Sequence, residues 1–68
     1  MSLDIGIRRE ADGRWIAEVP KLPGVLTYGH DRAEAIAKAK ALALRVLADR
    51  IEHGEEAPWS TEMFKVPK

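Results

Sequence analysis

From Arg32 to His53 the chain runs for 22 residues without a glycine or a proline. Nothing else in the sequence constrains the fold as strongly. Alanine recurs at positions 33, 35, 37, 39, 41, 43 and 48, and alanine is the best helix former. The residue before the run, Asp31, is a helix N-cap, with Glu34 three positions later completing a capping box. Both carboxylates suit the positive end of a helix dipole. Gly54 supplies a C-terminal stop. The expectation is a single helix about 33 Å long.

Side chains three and four apart share a helix face. Ala35, Ile36, Ala39, Leu42, Ala43, Val46 and Leu47 form one apolar stripe, the face expected to pack on a sheet. Ala37, Ala41, Leu44, Ala48 and Ile51 form a second. A charged stripe of Glu34, Lys38, Arg45, Asp49 and Glu52 is left beside them. Two apolar rows exceed what one small sheet face covers. The second row is therefore expected either to contact another copy of the chain or a partner, or to lie under the tail folded over it.

Ahead of the helix the period is two. In Leu3–Glu10, Leu3, Ile5 and Ile7 alternate with Asp4, Gly6 and Arg8, the pattern of a half-buried strand. Ala11-Asp12-Gly13 is a turn, because glycine takes positive φ at no steric cost. Arg14–Val19 is a second strand, with Trp15, Ala17 and Val19 on one face. Pro20 and Pro23 remove two backbone donors and end it. Val25–Tyr28 is a third, short strand closed by Gly29. After Gly54 the chain turns polar and then apolar, and Glu62–Val66 reads as a short final strand. The expected class is α+β in the order β-β-β-α-β: a three-stranded antiparallel meander, one long helix and a last strand.

Sixty-eight residues make one domain. A chain this short has a core worth roughly 3–5 kcal/mol, and without cysteine it has no disulfide or thiolate-zinc site to add. Self-association or a partner is the remaining source of stability. Eleven basic side chains balance eleven acidic ones, whereas nucleic-acid-binding domains carry a basic excess. The first residues lack a signal-peptide pattern, and no apolar run reaches the ~20 residues of a membrane span. A cytoplasmic protein is expected.

Trp15, Ala17, Pro20, Leu22, Pro23 and Gly24 spell aromatic-x-Ala-x-x-Pro-x-Leu-Pro-Gly, followed by Tyr28-Gly29 and a capped helix with Glu34-Ala35. Together with the hairpin Ile7–Arg14, this stretch resembles the HicB family, antitoxins of type II toxin–antitoxin systems and the solitary small proteins related to them. The resemblance covers roughly residues 3–55. It implies a partial ribonuclease H-like fold, with the final strand lying beside the first and parallel to it. It also implies a partner: a small RNA-cleaving toxin of the HicA type. Many members of the family add a C-terminal DNA-binding domain. The residues after Gly54 are too few for a helix-turn-helix, so a single HicB-like domain over residues 1–68 is expected, with no DNA-binding domain. Asp31 stands where Ser or Thr is common in the family, and caps equally well.

A ribonuclease H-like fold raises the question of nuclease chemistry. Two-metal cleavage needs carboxylates converging on ions about 3.5–4 Å apart. Asp4 and Glu34 are the nearest candidates, but the solvent face of a strand and the helix cap account for them; Glu18 and Glu62 add no cluster. His30 and His53 stand at opposite ends of the helix, about 35 Å apart by rise per residue, and cannot share a metal within one chain. No phosphate-binding glycine loop is present. Trp15 reads as a packing residue, and Trp59 and Phe64 in the tail as cover for a sheet edge or anchors of an interface. No catalytic residue, cofactor or metal is expected. The function that follows is protein binding, through Ala37, Ala41, Leu44, Ala48 and Ile51, an exposed edge strand, or the tail around Trp59 and Phe64. Two other readings stand beside it: an orphan oligomeric scaffold or small-ligand domain without a toxin, and a residual nucleic-acid-binding protein or nuclease.

Overall fold

Each turn between the elements closes on its own hydrogen bonds. The computed structural model describes residues 3–55. In chain order it shows β1 (Gly6–Arg9), β2 (Trp15–Glu18), β3 (Leu26–Gly29) and α1 (Arg32–Glu52). The three strands form one antiparallel sheet in the order β1-β2-β3, with Ile7 opposite Ala17 and Ala17 opposite Thr27. This is the expected α+β meander with one long helix. The final strand expected at 62–66, and with it Trp59 and Phe64, falls outside the described residues.

The first hairpin closes where Asp12-Gly13 predicted. The Glu10 N–H donates to the Arg14 carbonyl at 2.7 Å and the Gly13 N–H to the Glu10 carbonyl at 3.0 Å, with Gly13 at φ 92°. This three-residue loop places a glycine in the left-handed position. The Asp12 carboxylate accepts from the Arg14 backbone N–H at 3.0 Å and from its Nε at 2.7 Å.

Pairing in β1 starts three residues later than the alternation suggested. Leu3 and Ile5 are half-buried and Asp4 exposed, as expected of a strand, yet the ladder begins at Gly6. Gly6 pairs with Glu18 and Arg8 with Ile16, so the next ladder position opposite Asp4 is Pro20. Proline has no N–H to offer there.

The Pro20–Gly24 segment does more than end a strand. Leu22 donates its N–H to the Val19 carbonyl at 2.9 Å, and Val25 donates to the Leu22 carbonyl at 3.0 Å. These two turns drop the Leu22 side chain into the core, where it is the largest fully buried one. Val19, Val25, Ala43 and Leu47 surround it. A second cluster, Ala17, Ala35 and Ala39, lies toward the helix N-terminus, with Ile7 and Trp15 packed against it. Small residues on both surfaces let the helix backbone approach the sheet closely.

The helix buries Ala35, Ala39, Ala43 and Leu47 and half-buries Ile36, Leu42 and Val46, the stripe its periodicity marks. Asp31 caps it, accepting from the Glu34 N–H at 2.7 Å. The capping box is shifted by one residue from the expected form: Glu34 Oε1 accepts from the N–H of His30 at 3.0 Å rather than from that of Asp31. At the other end the Gly54 N–H donates to the Ile51 carbonyl and the Glu55 N–H to the Arg50 carbonyl, with Gly54 at φ 78°. This is the Schellman pattern.

Candidate protein-binding surface

The last buried residue of the helix is Leu47. Ala37, Ala48 and Ile51 are exposed and Ala41 half-exposed. Leu44 is 61% and Ile51 50% exposed, the two most exposed large apolar side chains described. The second apolar row is thus left uncovered by the sheet.

Beside this row lies an apolar groove of about 270 Å³, lined by Leu3, Ile5, Val19, Ala43, Leu44 and Leu47, with Lys40 at its rim. It exists because β1 starts late. Leu3 and Ile5 pack toward the helix but join no ladder among the described residues. The sequence identified Leu3 and Ile5 as apolar strand positions. It carried no signal that they would border a groove, because that depends on where pairing with β2 stops.

The sheet face away from the helix has a different character. Arg8, Ile16 and Tyr28 lie side by side across it, as do Gly6, Glu18 and Leu26. Ile16 is buried there, although alternation placed it on the face opposite Trp15 and Ala17. Arg8 pairs with Glu18 at 3.8 Å, and the Arg14 guanidinium sits 4.7 Å over the Tyr28 ring. Leu26 and Tyr28 are 42% and 43% exposed.

Among the described residues the candidate carboxylates do not converge. Asp4 lies beyond the Gly6 end of β1, and Glu34 beside Gly29 at the opposite end of the sheet. Five strand positions, roughly 16 Å, separate the two levels, far more than a two-metal site allows. Among the described residues no three His, Asp or Glu side chains group as metal ligands. The His30 N–H holds the Glu34 carboxyl below the usual glutamate value, and Lys38, 3.5 Å away, acts in the same direction. Asp12 is likewise held low, first by the Arg14 backbone N–H and then by its side chain. Both groups are explained by local structure. His53 closes the helix, with Nδ1 2.8 Å from the Asp49 carbonyl. Trp15 is half-buried against the alanine cluster.

Thr27 was not singled out from sequence. Its hydroxyl donates to the Ala35 carbonyl at 2.9 Å and ties β3 to the first turn of α1. No sequence signal marks it, since threonine is ordinary in strands.

Compared with family models, with curated proteins and with solved structures, the chain matches none of them. No described helix is long and apolar enough to cross a membrane.

Proposed function

We propose that this protein is a non-enzymatic protein-binding module of the HicB antitoxin kind, acting in the cytoplasm, whose partner is a small RNA-cleaving toxin of the HicA type. The observation that carries the binding reading is the uncovered apolar row of α1 next to the apolar groove. Leu44 and Ile51 stand out from a helix whose other face is already packed. Exposed apolar surface contiguous with a groove marks interaction sites. The partner class comes from the resemblance of residues 3–55, and the observed order of hairpin, buried Leu22 turn, third strand and capped helix supports it. The toxin is inhibited by being covered, with Leu44 and Ile51 as the anchors on this chain.

The test is capture of the partner from the native host on the tagged full chain, with identification by mass spectrometry. A small RNA-cleaving protein should be recovered with wild type. Leu44→Glu with Ile51→Glu should lose it while far-UV circular dichroism stays unchanged, since both side chains are exposed. Recovery of such a toxin at equal yield on the double variant would reject this surface. Magnesium-dependent cleavage of RNA or hybrid duplexes by the protein alone, abolished by Asp4→Ala, would replace the binding reading with an enzymatic one.

A further inference from the structure

The outer edge of β3 points to a second copy of this chain. We infer that two copies pair through β3 about a two-fold axis, joining their sheets into one of six strands. This goes beyond the toxin-binding reading and uses a different surface.

The backbone supplies the first argument. The Val19 N–H donates to the Val25 carbonyl, so Val25, Thr27 and Gly29 face β2 with their donors and acceptors. In an antiparallel ladder the alternate residues, Leu26 and Tyr28, then aim theirs outward. Among the described residues no strand pairs with that edge. Antiparallel pairing centred on Thr27 sets Leu26 of each copy opposite Tyr28 of the other. Each of these two pairs exchanges both of its backbone bonds, four in all. The same pairing lays the half-exposed Leu26 side chain against the half-exposed Tyr28 ring, on the face the helix leaves open.

Charge selects this edge over the other. Natural sheets protect their edges with charged side chains. β1 carries Arg8 and Arg9 and is the other edge among the described strands, where a two-fold pairing brings arginines together. β3 reads Leu-Thr-Tyr-Gly, with no charge and no proline. Beside it on α1, Glu34 and Lys38 border a cleft with Tyr28, Gly29 and His30. The two-fold axis lays the two helices antiparallel on one side of the sheet, so that Lys38 of each copy faces Glu34 of the other. With α1 seated over β2 and β3, the helix axes come roughly 10 Å apart, at ordinary helix-packing distance.

The experiment is sedimentation equilibrium on the full chain, with hydrogen exchange read at single amides. Wild type should be a dimer, with the Leu26 and Tyr28 amides protected like that of Thr27. Leu26→Lys with Tyr28→Lys sets lysine against lysine at both pairs and should give a folded monomer. Leu26→Lys with Tyr28→Glu sets opposite charges face to face and should restore the dimer. A monomeric wild type, or a dimer that survives the two lysines, overturns the proposal. If the lysine variant does not fold, the exchange data on wild type decide. Leu26 and Tyr28 amides that exchange freely between protected neighbours overturn it as well. Toxin capture reads out Leu44 and Ile51 separately, so either proposal can fail without the other.

Discussion

At the scale of single residues, Gly29 and Leu22 carry more of this fold than their types suggest. Gly29 does not occupy the left-handed region, unlike Gly13, Gly24 and Gly54. It is glycine because of space: a Cβ there would lie 2.5 Å from the Ala35 nitrogen and 3.0 Å from the Asp31 carbonyl oxygen. Both are helix backbone, which cannot rotate aside. Gly29→Ala is expected to push the helix N-terminus off β3, lengthen the Thr27–Ala35 hydrogen bond and cost about 1–3 kcal/mol, the usual range for overpacking. Urea denaturation monitored by circular dichroism measures this. An unchanged midpoint would mean that the helix and sheet do not meet at this separation. The sequence showed Gly29 closing a strand, but the two reasons for a glycine, space and conformation, look alike until the neighbouring backbone is placed. Leu22 is a similar case. It stands between two prolines in a loop pattern, and only the pair of consecutive turns shows that it reaches the core.

At the scale of elements, α1 was legible almost to the residue, because propensity, period and caps all agree over its length. The strands were less so. Their faces were read correctly, but β1 was started three residues too early, since the fault lies in its partner: Pro20 withholds the next donor. The shifted capping box gives the helix a measurable acid dependence. Glu34 has its folded value lowered by the His30 N–H and by Lys38. Its contribution is therefore fully present above the usual glutamate value of about 4.3 and is lost as pH falls through the lowered one. Thermal melts of wild type should fall off across that window. Glu34→Gln keeps an acceptor for the His30 N–H but removes the titration, so its melts should fall less between pH 5 and the acid limit. Equal acid sensitivity in both proteins would show that Glu34 is not held by the cap.

At the scale of the whole molecule, the described residues bury few large apolar side chains. Among the described residues two small clusters pack the sheet on the helix, one of them entirely alanine in its buried members, and the described strands leave an apolar face of the helix uncovered. Association adds what the monomer lacks, because a state that binds only the folded form stabilises it by mass action. The melting temperature should therefore rise with protein concentration in wild type. It should be independent of concentration in the Leu26→Lys, Tyr28→Lys variant. Concentration-independent melting of wild type would show that the single chain is self-sufficient.

The chain's own pattern was enough to establish the α+β class, the order of the four described elements, both helix caps, the buried helix stripe and the existence of a second apolar row. These follow from interactions between residues close in sequence, where spacing alone determines which side chains share a face. Three things required the packed structure: the groove beside Leu44, the tight seat of Gly29 against Ala35, and the uncharged edge of β3. Each depends on which residue of one element lies opposite which residue of another. That register is set by hydrogen bonds and close contacts between distant segments, and no local period records it.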